Sequence, residues 1–355
     1  MGKKILVFTG AGISVPLGLP STNEFITTIN KIQGELLSLL KTFLNENDIK
    51  DIERILYLLE DFVREDDFTS HIVQQGTPNN GNFHAVYAAL NNHKHYAKLA
   101  IEQIKADLFV LLEKYDADKA SKLYSSIIKE LKIEIDGDTA ISFFTTNYDL
   151  TFENGFADDE NNLKDVGIDE IMYGFQAKNG KATYNPIEDF NWDSNKVEYK
   201  KLHGSLDWSL DRNGNCIKTG ATTNPKEPAK MPMLYPGFKG TPSKQPFIDL
   251  HEKLDQRLND ADVVFVIGFA FRDDYINNIF DYSLKKQKDK LIVLCYNPCP
   301  LDSYPKDSKV KYFVEKYPDN FFRIESRIDI KQDPLNLRML NEKILNRLKL
   351  KEDIF

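Results

Sequence analysis

Five short stretches of this chain place small or polar residues where an apolar run has just ended, and each is made of groups that can bind a ligand or move a proton. The first is Gly10-Ala11-Gly12-Ile13-Ser14, which follows the run Ile5 to Phe8. Glycine lacks Cβ and tolerates positive φ, so such a loop can bring backbone N–H groups against a pyrophosphate. It reads equally as an ordinary tight turn, because a GxGxxG fingerprint would need a third glycine where Val15 stands. The second stretch, Thr145-Thr146-Asn147-Tyr148-Asp149, is either a cluster of hydrogen-bonding side chains at a site or a strand-ending Asx turn. The third is His203-Gly204-Ser205, whose imidazole can serve as a base or simply as a structural side chain. The last two are Gly268 to Asp274, where Asp273 either supports a ligand hydroxyl or caps the next helix, and Tyr296-Asn297-Pro298.

The elements that must carry these stretches are strands. "KKILVFT", "AISFFTTNYD" from Ala140, "VEYKKLHGS" from Val197, "DVVFVIGFAFRDD" from Asp262 and "KLIVLCYNP" from Lys290 are mostly continuous apolar runs, as expected of strands buried on both faces. Phe247, Leu250, Leu254 and Leu258 recur at helical spacing before the fourth of them. Strands alternating with helices predict an α/β fold with a parallel sheet covered on both sides, in which ligands bind beyond the carboxyl ends of the strands. That is where all five stretches fall. Between about residues 31 and 133 the pattern is helical, with Ile52, Ile55, Leu59 and Phe62, then Ala97, Ile101, Ile104, Leu108 and Leu111, so a helical insertion is expected there. Asp333-Pro334 followed by Leu337, Leu340, Ile344 and Leu348 predicts a C-terminal helix over 333–355, packed on its own domain or on a partner, after a main domain over 1–332.

The 355 residues, 41% hydrophobic and 12% aromatic, suffice for a large core. With 46 basic against 54 acidic residues, the net charge of −8 disfavours direct binding to nucleic acid or to an anionic membrane. Neither a long apolar run nor the layout of a signal peptide is found, and a cytoplasmic protein is expected. Cys216, Cys295 and Cys299 are an odd number without CxxC spacing, which fits neither a disulfide framework nor a structural zinc site.

Taken together, "GAGIS", "TTNYD", "LHGS", "VIGFAFRDD" and "LCYNP" resemble the sirtuin family of NAD-consuming enzymes, over about Lys3 to Asn297. The resemblance implies a Rossmann-like sheet that binds NAD across its switch point. Three departures are visible. Leu206 to Ala261 holds only Cys216, so the two CxxC pairs of the sirtuin zinc module are missing and no zinc is expected. Ser21-Thr22-Asn23 stands where sirtuins continue Asp-Phe-Arg after the Gly-Leu-Pro. Ala270 replaces the serine of the later turn. These features are more similar to the bacterial anti-phage branch of sirtuin-like proteins, including the HerA-associated type.

That resemblance implies NAD as substrate and a glycohydrolase that releases nicotinamide and ADP-ribose, depleting cellular NAD in defence. It implies Asn147, Asp149 and His203 as catalytic residues. Gly10, Ala11, Gly12, Ser14, Thr145, Gly268, Asp273 and Asn297 would bind NAD. A protein deacylase or ADP-ribosyltransferase, and a non-enzymatic NAD or ADP-ribose sensor, are the competing readings. Since only some 55 residues (roughly) follow the last motif, too few for an ordinary sensor domain, control is expected through assembly. Either a homo-oligomer or a separately encoded partner such as a HerA-type ATPase would provide it.

Overall fold

The computed structural model describes residues 2–20, 52–64, 81–135, 138–157, 164, 167–178, 181–186, 191–219, 231–235, 242, 244–295 and 308–323. Asn297, the Ser21-Thr22-Asn23 segment and the expected helix over 333–355 lie outside them. The chain divides into two compact units. The larger contains Met1–Leu19, Leu112–Thr222 and Pro232–Phe355, and the smaller contains Pro20–Leu111 and Thr223–Met231.

The larger unit is built on a parallel sheet of β1 (Lys4–Thr9), β2 (Ala140–Thr145), β3 (Glu170–Met172), β6 (Lys196–Lys201), β9 (Val263–Ile267), β10 (Leu291–Cys295) and β11 (Phe321–Arg323). Their order is β11-β10-β9-β1-β2-β6-β3, and every neighbouring pair is parallel. This is the α/β fold expected from the alternation of apolar strands and helices. The chain builds one half of the sheet outward from β1 and then returns to β9 on its other side, so the order reverses beside β1. Such a reversal opens a crevice at the carboxyl ends of the strands, because the connections leave in opposite directions.

Alternation along each strand sends successive side chains to opposite faces. Ile5, Val7, Ile141, Phe143, Val197, Tyr199, Val263, Phe265 and Val293 point to one face. There they meet Leu123, Ile127, Ile128 and Leu131 of α3 (Ala117–Glu134) and Phe152 and Phe156 of α4 (Thr151–Ala157). Leu6, Phe8, Phe144, Val264, Val266, Ile292 and Leu294 point to the other. That face is covered by α5 (Phe247–Asp260), α6 (Asp274–Lys286) and α7 (Lys309–Lys316), with Leu250, Leu254, Leu258, Ile276, Phe280 and Phe313 inward. The Glu198 carboxylate takes two hydrogen bonds from Arg257 (2.6 and 3.2 Å) and one from Ser142 (2.6 Å), which ties α5 to β2 and β6.

A second, antiparallel sheet joins β4 (Phe175–Lys178), β5 (Lys181–Tyr184), β8 (Cys216–Lys218) and β7 (Trp208–Leu210). Its strands are three or four residues long, below the length at which alternation can be read from sequence.

In the smaller unit, α1 (Ile52–Arg64) buries Ile52, Ile55, Leu56 and Leu59, and α2 (Gly81–Leu112) buries Ala97, Ile101, Ile104 and Leu108. The ammonium of Lys105 pairs with Glu60 at 3.0 Å. The helical segment expected over residues 31–133 is thus shared between the two units. Pro20–Leu111 belongs to the smaller one, while α3 packs on the sheet of the larger.

Candidate active site

Strand register decides which residues meet. Thr9, the last residue of β1, pairs with Thr145 of β2 and Ile267 of β9; Thr145 pairs in turn with Lys201 of β6, and Ile267 with Cys295 of β10. These strands therefore stop on one level. The loops that follow them, Gly10–Ser14, Thr146–Leu150, Leu202–Ser205 and Gly268–Asp273, crowd one edge of the sheet.

The loops after β1 and β9 touch backbone to backbone. The amide of Gly10 donates to Ile267 O (3.0 Å) and that of Gly12 to Gly268 O (2.9 Å). A Cβ on Gly12 would lie 2.6 Å from the Gly268 Cα, and one on Gly268, whose φ is +63°, would lie 2.4 Å from the Ile13 amide nitrogen. Side chains are missing here because two loops approach too closely to admit them, a reason that holds before any ligand arrives. Beyond the contact the chain coils into two short 3-10 turns, Ala11–Ile13 and Val15–Leu17, leaving Ala11 and Gly12 half-buried.

The loop after β2 is organised differently, by buried polar side chains. Thr145 Oγ1 accepts the Asn147 amide at 3.1 Å. The Asn147 side chain donates through Nδ2 to Gly10 O (3.2 Å) and Ser14 Oγ (3.1 Å), and Ser14 Oγ donates to Asp149 Oδ2 (2.9 Å). The other Asp149 oxygen accepts from the amide (3.1 Å) and hydroxyl (2.6 Å) of Thr151, opening α4. Both carboxylate oxygens of Asp149 are engaged in holding Ser14 and the start of this helix. Asn147 spends its N–H groups on Gly10 and Ser14, so its side-chain carbonyl Oδ1 is what it can offer a water or a hydroxyl.

After β6, His203 is 2% exposed, and its Nε2 lies 2.9 Å from Asp273 Oδ2. Asp273 also caps α6, its Oδ1 accepting from the amides of Tyr275 (2.9 Å) and Ile276 (3.0 Å). Burial pushes the Asp273 carboxyl upward. The His203 hydrogen bond and charge and the Ile276 amide more than offset this, holding it below the ordinary carboxylate range. An ionised Asp273 can only accept, so the proton of this bond sits on His203 Nε2, and Nδ1 is the ring nitrogen left to act as a base. The two alternatives open for Asp273 in the sequence, helix cap or ligand support, thus gain a third: it orients the histidine while it caps the helix.

Next to this dyad stands a second histidine that the sequence did not single out. The ring of His251, on α5, lies 6.3 Å from that of His203 at an interplanar angle of 20°. Its Nδ1 donates to Phe247 O at 2.8 Å, the carbonyl one helical turn back. Burial, then the neighbouring His203, lower its pKa to about 4, so His251 is neutral at pH 7.

Of the expected site residues, the structure brings Gly10, Ala11, Gly12, Ser14, Thr145, Asn147, Asp149, His203, Gly268 and Asp273 to this one edge. A cavity of about 210 Å³ opens beside it, lined by Leu112, Glu113, Tyr115, Leu150, Asn154 and Leu206. Among the described residues no three His, Cys, Asp or Glu side chains converge as a metal site, and no helix is long and apolar enough to cross a membrane.

Residues 141–317 match the SIR2-like domain. The matched residues take in all but the first residue of β2, the whole of β6, β9 and β10, and Asn147, His203 and Asp273. Among solved structures the chain is similar to a Sir2 homologue mutant in complex with 2′-O-acetyl ADP ribose, at 12% identity over 99% of this chain and 94% of that one, with a TM-score of 0.44. It is also similar to a Sir2 homologue in complex with NAD, at 13% identity over 98% and 90% of the two chains and a TM-score of 0.42. No curated protein matches the chain.

Proposed function

We propose that this chain is an NAD glycohydrolase, which transfers the ADP-ribosyl group of NAD to water and releases nicotinamide. The observation that carries the reading is the His203–Asp273 dyad at 2.9 Å on the same sheet edge as the Asn147–Ser14 network and the Gly12–Gly268 contact. The SIR2-like match over residues 141–317 supports an NAD-using site at that edge.

The chemistry asks little of the protein, because the positively charged pyridinium already makes nicotinamide a good leaving group. The loop Gly10–Ser14 and Gly268 would lie against the pyrophosphate with side chains too small to keep it away, and since the amides of Gly10, Gly12, Ile13 and Ser14 already donate to backbone carbonyls, the Ala11 amide is the one the loop would turn to it. The Asn147 Oδ1 would accept from a ribose hydroxyl or from the attacking water. As the C1′–N bond breaks, its electron pair stays on the ring nitrogen of nicotinamide. The water oxygen bonds to C1′, and the proton it loses passes to His203 Nδ1, whose positive charge the Asp273 carboxylate stabilises. The products are nicotinamide, ADP-ribose and a proton. Asp149 acts at one remove in this scheme, by fixing Ser14.

The departures from the sirtuin pattern, namely the missing CxxC pairs, Ser21-Thr22-Asn23 and Ala270, also support a role in anti-phage defence by NAD depletion, switched on by assembly with copies of itself or with a HerA-type ATPase. Nicotinamide release from NAD by the purified chain, alone and in its assembled form, tests the activity. Absence of release in both would overturn it.

A further inference from the structure

Beneath the same edge lies a buried charge that the proposed reaction does not use. Lys201 closes β6 and is 2% exposed. Its three N–H groups meet four acceptors, one of them shared: the carbonyl of Tyr148 at 3.2 Å, the carbonyl of Asp149, Glu153 Oε1 at 3.1 Å and Ser205 Oγ at 2.8 Å. Ser205 Oγ donates in turn to Asp207 Oδ1 at 2.6 Å, and Asp207 Oδ2 lies 3.5 Å from the Lys218 ammonium.

Removing an ammonium from water costs several kcal/mol (roughly), which a partner carboxylate can offset but which a well-packed apolar residue would avoid altogether. A lysine kept only to neutralise Glu153 would need that carboxylate and nothing else. Lys201 instead holds two successive backbone carbonyls of the turn that carries Asn147 and the hydroxyl two residues past His203. Its neighbour Lys200 is also buried, yet that ammonium is directed to the Met172 carbonyl (3.2 Å) at the far side of β6.

We propose that Lys201 is a positioning residue of this site: it locks the turn after β2 to the turn after β6, and thereby fixes Asn147 relative to His203. The consequence for turnover rests on the NAD glycohydrolase reading. The consequence for backbone order rests on the geometry alone.

Two variants test it. Lys201→Met combined with Glu153→Gln removes the ammonium without leaving a buried carboxylate unpaired. Ser205→Ala cuts the link to the second turn while sparing the charge. Nicotinamide release is measured per folded molecule, together with hydrogen exchange in residues 147–150 and 203–206, with β9 and β10 as internal reference. Both variants are expected to lose on the order of tenfold in kcat, with KM for NAD held within about threefold, since misplacement of reacting groups costs rate more than binding. Amides of both turns should exchange faster while β9 and β10 keep their protection. Wild-type kcat and unchanged exchange in folded protein would overturn the proposal, as would a loss of stability alone. Should the double variant fail to fold, Ser205→Ala decides by the same two readouts. Should the wild type itself release no nicotinamide, the hydrolase reading fails, and the exchange comparison alone decides the role of Lys201.

Discussion

The two halves of the candidate site solve opposite problems. Where β1 meets β9, side chains have been removed, and Gly10, Gly12 and Gly268 let two backbones touch. Where β2 meets β6, side chains have been added to the interior, and Asn147, Asp149, Lys201 and His203 are all buried with hydrogen-bond partners. A bare backbone lets a ligand approach closely and offers little else, which suits binding. A buried polar network holds a few groups in single orientations at a high cost if any partner is lost, which suits chemistry. The first half should therefore fail through folding and affinity, and the second through rate.

The largest effect is expected at His203. His203→Ala should lower kcat by roughly 10²–10⁴-fold, the usual span for removal of a general base. The cap of α6 should survive, because Asp273 Oδ1 keeps the Tyr275 and Ile276 amides. Steady-state turnover beside a thermal melt checks both statements, and a near-wild-type rate would remove His203 from the mechanism. Asp273→Asn separates the two jobs of that residue more finely. An asparagine can still cap the helix, but it no longer holds the histidine proton as a carboxylate does, so a loss of roughly 10- to 100-fold in kcat with a nearly unchanged melting temperature is expected. Equal losses of stability and rate would show that the cap, not the dyad, is what matters.

Gly12→Ala probes the other half. The new methyl would fall 2.6 Å from the Gly268 Cα, backbone against backbone, with no flexible group to give way. Overpacking of this kind costs typically about 1–3 kcal/mol, so chemical denaturation should show a clear loss of stability along with weaker NAD binding. A variant as stable as the wild type that only binds NAD poorly would assign the glycine to the ligand and not to the loop contact.

Much of this arrangement was legible in the sequence, for physical reasons that also explain the remainder. The strands were visible because most are buried on both faces and so near-continuously apolar, β6 with Glu198, Lys200 and Lys201 being the exception, and their ends because small and polar residues interrupt them at once. Parallel strands that stop on one level then bring Gly10, Asn147, His203 and Gly268 together with no further information. The short antiparallel sheet escaped notice because three or four residues carry no period. Lys201 gave a faint signal, as one of two lysines ending an interior strand of the sheet, but its partners Glu153 and Ser205 come from different elements and only the fold unites them. His251 gave none: on α5 it shares an inward face with Phe247, Leu250 and Leu254, and nothing in that spacing points to a second imidazole beside His203.

His251 also yields the smallest effect. The groups that face it are the His203 ring, the Asp273 carboxylate and the edge of Tyr275, 5.3 Å between ring centroids. In the unfolded chain a histidine titrates near pH 6.5, whereas here burial and His203 hold His251 near 4. Between those two values the unfolded chain binds the proton and the folded chain does not, so stability falls as the pH drops from about 6.5 toward 4 and is unaffected by this residue above that window. At a pH about one unit below the unfolded value, the loss from this residue should be about 1 kcal/mol. His251→Leu removes the proton site while keeping an apolar body against the core, and the Phe247 carbonyl it releases still lies within the helix. Urea denaturation of both proteins at pH 8 and pH 5.5 compares the pH dependence within each, so any constant packing penalty cancels. The leucine variant should lose less stability on acidification than the wild type by about that amount. Equal losses in the two proteins would mean that His251 takes up its proton without disturbing the dyad beside it, and that the buried half of the site tolerates a charge its packing was expected to refuse.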